Sequence, residues 1–303
     1  MSLFTRVAAA TAAAGPVRKA ITGTRAGRAL ARRFVAGDGL DAAVGVARRL
    51  QGEGLGVSLD LLGEDVTDRE GAEQATRGYL EALERIRAEG LRANISIKLT
   101  QLGLAIDPAM ADRAVDRLAT AAAEAGTTVT IDMEDSRYTQ ATVDIYARAQ
   151  PRHGNLGICL QAYLHRTPAD LERLLPLGGH IRLCKGAYVE PPEVAIQKRA
   201  DVEEAFARLL AELMAAPETR PAIATHDPRL IAATLAAADR RGDGFEFQML
   251  YGVRSDEQRR LSALGHDVRV YIPYGSAWYP YLTRRLAERP ANAWFFLRAL
   301  FGR

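Results

Sequence analysis

Four residues near the C-terminus combine types and spacing that could hold an acid. Tyr281, Arg284, Arg285 and Glu288 stand at i, i+3, i+4 and i+7. On a helix they share one face. Two adjacent guanidinium groups can each donate paired hydrogen bonds to a carboxylate. Glu288, one turn further on, could hold the arginines in position. A solvated helix face with an ordinary ion pair has the same signature, and only the rest of the chain can separate the two.

A second set of polar side chains falls at or near the ends of short apolar runs. It comprises Lys98, Asp132, Gln161, Arg182, Lys185, Tyr188, Thr225, His226, Asp227, Gln248 and Tyr271. What is missing narrows the chemistry. No His/Asp/Glu cluster has metal-ligand spacing, so no metal is expected. No G-x-S-x-G marks a nucleophile elbow. A glycosidase pair is not obvious, because Asp132 would have to work with Glu64 or Glu246. Lysine, arginine, glutamine, threonine and histidine together suit an anionic cofactor and a carboxylate substrate.

The elements that must position these residues follow a repeating pattern. Short β-prone runs cover 56–62, 94–99, 127–133, 156–161, 180–184, 222–226, 245–250 and 268–273. Each is rich in Val, Ile, Phe or Leu and bounded by Gly, Pro, Asn or Thr. Between them, helical stretches are expected over 68–89, 108–125, 167–175, 193–214, 228–241 and 256–264. Asp68 reads as an N-cap, and Thr167-Pro168 as a cap followed by a first-turn proline. Alternation of this kind predicts a (β/α)8 barrel, with working residues at the C-terminal ends of the strands. A doubly wound sheet is the runner-up. Gly52, Gly54 and Gly56 precede the first strand without G-x-G-x-x-G spacing, so no Rossmann motif supports it.

The 303 residues are 48% hydrophobic and 25% charged, the composition of a globular protein. No run of some 18 uncharged apolar residues is present, so no membrane-spanning helix is expected. Cys159 and Cys184 lie in apolar runs without Cys-x-x-Cys spacing, which makes a reducing cytoplasm the default. A net charge of +3 is too small to argue for nucleic acid. The charge is uneven, however. Residues 1–37 hold Arg6, Arg18, Lys19, Arg25, Arg28, Arg32 and Arg33, with no acid before Asp38. The sequence divides into a basic helical arm, 1–50, and a barrel domain, 51–303. The arm could lie on an anionic membrane surface, serve as a mitochondrial transit peptide, or pack on its own barrel.

Taken together, the motifs SLDLLGE (58–64), SIKLTQLG (96–103), IDMED (131–135), LQAY (160–163), RLCKGAY (182–188), ATHD (224–227), FEFQMLYG (245–252), VYIPYG (270–275) and YLTRRLAERPAN (281–292) closely resemble proline dehydrogenase in its single-function bacterial form. RLCKGAY and the Tyr-x-x-Arg-Arg helix are the specific elements, whereas ATHD alone would be weak. The resemblance implies a distorted (β/α)8 TIM barrel that binds FAD. It implies oxidation of L-proline to 1-pyrroline-5-carboxylate, with electrons passed to a membrane quinone. A separate 1-pyrroline-5-carboxylate dehydrogenase would take the next step. A methylenetetrahydrofolate reductase-like flavin barrel is the alternative enzyme, against which the twin-arginine helix argues. A non-catalytic barrel whose basic arm binds a partner is the other alternative.

Carried over by position, the resemblance has Arg284 and Arg285 clamp the proline carboxylate with Lys98. Glu64 and Glu288 would support those cations. Tyr271, Tyr281 and Leu250 would wall the ring, and a residue smaller than tyrosine at 271 is associated with accepting 4-hydroxyproline. Asp132 would border the site near the flavin, and Arg182 would lie against flavin N5. Met133, Gln161, Lys185, Gly186, Ala187, Thr225 and His226 would hold FAD. Cys184 stands where a β-branched aliphatic is expected, a neutral change for a buried position.

Overall fold

The computed structural model describes residues 31–63 and 66–282. Within them, eight parallel strands close into a barrel in sequence order. They are β1 (Gly56–Leu61), β2 (Ala93–Ile97), β3 (Val129–Ile131), β4 (Leu156–Gln161), β5 (Gly179–Cys184), β6 (Thr219–Ala224), β7 (Glu246–Leu250) and β8 (Val268–Tyr274). Closure shows in the register, where Ser58 faces Asn94 on one side and Tyr271 on the other.

The accompanying helices are α1 (Leu40–Gly52), α2 (Arg69–Ala88), α3 (Pro108–Glu124), α4 (Ser136–His153), α5 (Thr167–Leu174), α6 (Arg199–Ala215), α7 (Pro228–Arg241) and α8 (Ser255–Ala263). Their starts have local causes. Asp68, Asp107 and Asp227 each accept a hydrogen bond from a first-turn amide, and proline opens α3 and α7. The expected barrel is therefore present, with four local corrections. Thr167 does not cap α5: the N-cap is Arg166, and the Thr167 hydroxyl donates to the Gln161 carbonyl at 2.6 Å. Helix α4 was not anticipated, because its buried face is built from Thr139, Thr142, Val143 and Tyr146 and its last turn contains Pro151. Helix α6 begins at Arg199 and not at 193; Pro191 and Pro192 lie upstream, and Ala195 forms an antiparallel bridge to Leu164. Strand β6 ends at Ala224, two residues early, because Asp227 is already capping α7.

The period-two alternation of the strands divides the barrel into two surfaces. Outward positions are apolar and buried against helices: Leu59, Ile95, Ile97, Ile131, Ile158, Leu183, Phe247, Val270 and Ile272. Each such side chain contributes about 1.5–3 kcal/mol by leaving water. Inward positions are largely polar, among them Ser58 and Asp60, Asn94 and Ser96, Thr130, His180 and Arg182, and Glu246 and Gln248, all buried.

Helix α1 crosses residue 50 and buries Ala43, Val44, Ala47 and Leu50 in the main core. Upstream of it, Ala31, Phe34 and Val35 form a second apolar cluster with Leu62, Trp278, Tyr279, Tyr281 and Leu282. This segment is fastened to the barrel, since Ala36 N–H donates to the carbonyl of Pro273 at 2.9 Å. Gly252, at φ +73°, leaves no room for a side chain, because a Cβ there would lie 1.7 Å from the Arg33 carbonyl oxygen. Among the described residues no helix is long and apolar enough to cross a membrane.

Candidate active site

Inward residues of four strands, with two residues that immediately follow β2 and β3, meet at the C-terminal half of the barrel. Lys98 follows β2 and Asp132 follows β3; Asp60, Ser96, Arg182 and Tyr271 lie within β1, β2, β5 and β8. Tyr271 sits in the middle of its strand, one layer below the rim. Asp132 is the hub. Its Oδ1 accepts from Ser96 Oγ at 2.8 Å and from Arg182 Nη1. Its Oδ2 accepts from the Tyr271 hydroxyl at 2.6 Å and lies 3.4 Å from Lys98 Nζ. Lys98 also donates to Asp60 Oδ1 at 2.6 Å and to the Tyr271 oxygen at 3.3 Å. The Arg182 guanidinium carbon lies 5.3 Å from the centroid of the Tyr271 ring.

The electrostatics follow from this wiring. Burial raises the Asp132 carboxyl, but Arg182, Lys98 and the hydrogen bonds from Tyr271 and Ser96 outweigh it and hold the group below its ordinary range. Burial, with Asp132 and Asp60 nearby, pushes the Tyr271 phenol well above its ordinary value. At neutral pH, Asp132 is therefore an anion and Tyr271 a neutral donor. With both oxygens occupied, Asp132 is a poor proton acceptor, and its work is to fix two cations and a phenol.

Arg182 carries one unfinished contact. Its Nε donates to Gln248 Oε1, and its Nη1 to Asp132 and, at 3.0 Å, to Ser96. Its Nη2 is buried and has no hydrogen-bond partner among the described residues. An unsatisfied buried donor costs about 1–3 kcal/mol, so this one, at the barrel mouth, is open to an acceptor from outside the protein.

The residues expected to hold FAD surround the same mouth. Gln161 Nε2 donates to the Glu134 carbonyl at 2.8 Å, and its Oε1 accepts from Ala187 N at 3.3 Å. Lys185 pairs with Asp227 at 2.7 Å and Glu203 at 3.0 Å. Thr225 Oγ1 accepts from Asp227 N–H at 3.1 Å, and His226 Nε2 accepts from Leu250 N–H at 2.9 Å. Gly186 has φ +116°, and a Cβ there would meet the Tyr163 ring at 2.2 Å, so only glycine lets the chain turn past that ring. Met133 is buried beside Asp132. Tyr281 is buried in the apolar cluster with Trp278 and Phe34. Glu64, Arg284, Arg285 and Glu288 lie outside the described residues.

Two participants were not singled out from sequence. Asp60 anchors Lys98, and Ser96 bridges Arg182 and Asp132. Their signal was the alternation Ser58-x-Asp60 and Asn94-x-Ser96-x-Lys98, in which the polar residues all take inward positions.

A (β/α)8 barrel with a buried ionic cluster beneath its mouth defines an enzyme class broadly, and comparison with known proteins narrows it. Residues 43–298 match the family model described as proline dehydrogenase. The chain is 38% identical over 281 residues to Proline dehydrogenase 1 of Bacillus subtilis (strain 168), covering 92% of each protein. It is 36% identical over 279 residues to proline dehydrogenase of Deinococcus radiodurans, covering 89% of this chain and 90% of that protein. The fold also matches the crystal structure of proline utilization A from Bdellovibrio bacteriovorus inactivated by N-propargylglycine, with a TM-score of 0.81 at 23% identity. That match covers 86% of this chain and 33% of the larger protein. The chain belongs to the proline dehydrogenase family.

Proposed function

We propose that the proline oxidation characteristic of this family runs here on bound FAD and yields 1-pyrroline-5-carboxylate, with electrons passed on to a membrane quinone. The observation that carries the cofactor is the buried, uncommitted Nη2 of Arg182 above a satisfied ionic cluster. Bound FAD supplies the two-electron acceptor for a substrate C–H bond. Met133, Gln161, Lys185, Gly186, Ala187, Thr225 and His226 would hold it, and Arg182 would face its reactive edge. Lys98, with Arg284 and Arg285, binds the proline carboxylate. Leu250, Tyr271 and Tyr281 wall the ring and keep water out.

The amine of proline must lose its proton before the C–N bond can become double. Lys98 and Arg182 oppose a third cation beside them, which lowers the amine pKa by like-charge repulsion. Asp132 keeps those cations in place without competing for the proton. Glu64 and Glu288 would support the carboxylate clamp in the same way. The basic arm at 1–37 would bring the enzyme to an anionic bilayer at the inner face of the membrane, each cation contributing on the order of 1 kcal/mol near the surface. The product would pass to a separate 1-pyrroline-5-carboxylate dehydrogenase.

The test is anaerobic titration of the purified protein. A yellow protein bleached by proline and not by NADH is the expected result. Bleaching by NADH alone would favour the methylenetetrahydrofolate reductase-like alternative, and a colourless protein that takes up no added FAD would remove the flavin.

A further inference from the structure

Gln248 belongs to none of the binding roles above, yet it lies where the two charged layers of the barrel interior meet. It is on β7 at an inward position and is 4% exposed. Its Oε1 accepts from Arg182 Nε, and its Nε2 donates to Glu246 Oε1 at 2.6 Å. Glu246 is in turn gripped by Arg269, whose Nε lies at 2.7 Å and Nη2 at 3.1 Å. The amide orientation is forced from both ends. Arg182 Nε can only donate and the Glu246 carboxylate can only accept, so the oxygen must face the arginine and the nitrogen the glutamate. A side chain that remains neutral at every ordinary pH and both accepts and donates meets both neighbours without adding charge.

The consequence falls on Arg182. A guanidinium is planar, so fixing two of its nitrogens fixes the third. Gln248 takes Nε, Asp132 and Ser96 take Nη1, and only Nη2 is left pointing away from protein acceptors. Without Gln248, Nε would be a buried donor with nothing to meet. The guanidinium would then be free to turn so that Nε or Nη2 found Asp132 instead. Inward neighbours Ala222 and Ala224 on β6 are small and offer no replacement acceptor.

We propose that Gln248 is a positioning residue for the redox step. By anchoring Arg182 to the Glu246–Arg269 pair on the barrel floor, it aims Nη2 at the cofactor and stabilises the reduced flavin. This rests on FAD being the bound group. Gln248 itself touches neither substrate nor cofactor, so the effect belongs in the electron-transfer equilibrium and rate and not in proline binding.

The test uses full-length enzyme purified with its flavin, carrying Gln248→Leu or Gln248→Glu. Visible absorbance first establishes flavin content in wild type and variants, and the flavin midpoint potential and proline kinetics follow. Q248L is expected to retain flavin while its potential falls by about 30 mV or more, a tenfold loss in the two-electron reduction equilibrium. Its kcat should fall at least about tenfold, with little change in KM for proline. Q248E discriminates further. As a protonated acid it can still donate to Glu246 and accept from Arg182, whereas as an anion it repels Glu246. Its activity relative to wild type should therefore recover towards acid pH, a profile that Q248L lacks. A folded, flavin-loaded Q248L with unchanged potential and kcat would overturn the proposal. So would loss of flavin or fold in both variants, which would make Gln248 a core residue only. A wild-type protein that binds no flavin would instead refute the cofactor assignment.

Discussion

Two ionic clusters share the interior of this barrel and are finished differently. Near the floor, Glu246 accepts from Nε and Nη2 of Arg269 and from Gln248, with His180 Nε2 at 3.2 Å. Near the mouth, Asp132 is just as fully engaged, but one of its partners, Arg182, is not. Lys98 is shared among two carboxylates and a phenol, and Arg182 keeps Nη2 in reserve. The floor holds charge that balances within the protein. The mouth holds a charged donor that no acceptor among the described residues meets. A buried carboxylate with a cationic partner is thus no indicator of chemistry by itself. What separates the clusters is a charged donor left over at the mouth, since the floor atoms without a hydrogen-bond partner among the described residues, Nδ1 and Nε2, belong to the His180 imidazole, which burial disfavours as a cation.

The comparison breaks most visibly at the floor. Replacing Glu246 by alanine leaves Arg269 and Gln248 facing a vacated carboxylate position, and removing one partner of a buried ion pair costs about 3–5 kcal/mol. Denaturant titration of Glu246→Ala should show that loss. A loss no larger than that of an exposed pair, such as Arg199–Glu203 at 2.8 Å, would mean that the floor cluster is not structural.

The proposed carboxylate clamp predicts an effect on binding. If Arg284 and Arg285 hold the proline carboxylate, Arg284→Met and Arg285→Met should each remove a charge-assisted hydrogen bond worth about 1.5–3 kcal/mol. KM for proline should rise roughly tenfold or more, with flavin content and midpoint of unfolding near wild type. An unchanged KM in either variant would remove that arginine from the carboxylate clamp.

How far this contrast could be read from the amino-acid sequence depends on the kind of signal. Strand positions were legible because Val, Ile and Leu at alternate positions announce a surface that helices cover, and Asp68, Pro108 and Pro228 mark helix starts chemically. Helix α4 was not legible, since threonines stand where an apolar stripe was sought. Lys98, Asp132, Arg182 and Tyr271 were found, but as strand-end residues. That they touch one another, and that Asp60 joins them, depends on barrel closure between β1 and β8, a pairing of residues more than two hundred positions apart that no local pattern encodes. The floor cluster was missed for the same reason. His180, Glu246 and Arg269 come from three strands; Glu246 was weighed only as a carboxylate partner for Asp132, and His180 and Arg269 were not singled out.

Tyr271 sharpens the comparison from the substrate side. If its ring is a wall, bulk should disfavour trans-4-hydroxyproline relative to proline by about 1–3 kcal/mol, or 10–200-fold in kcat/KM. Tyr271→Ser should narrow that ratio, chiefly by losing efficiency with proline. The hydroxyl bond to Asp132 at 2.6 Å is lost as well, so flavin content and melting temperature are needed as controls. A folded, flavin-loaded variant with an unchanged substrate ratio would show that Tyr271 serves the ionic cluster alone.

The smallest effect is expected at His180, and it has a definite sign. Burial holds this imidazole below its ordinary value of 6.5, although Glu246 pulls in the other direction. The folded protein therefore binds a proton at His180 less readily than the unfolded chain does. Between the folded value and 6.5 the unfolded chain carries more protons, so stability rises with pH across that window and falls as the pH drops through it. His180→Gln cannot titrate there. The melting temperature of wild type minus that of the variant should shrink as the pH is lowered from about 7.5 to 5.5, the range where histidine titrates, while carboxylates common to both proteins largely cancel. A difference that grows towards acid pH would mean that Glu246 dominates and His180 is held as a cation. The floor would then contain a second committed ion pair, widening its contrast with the mouth.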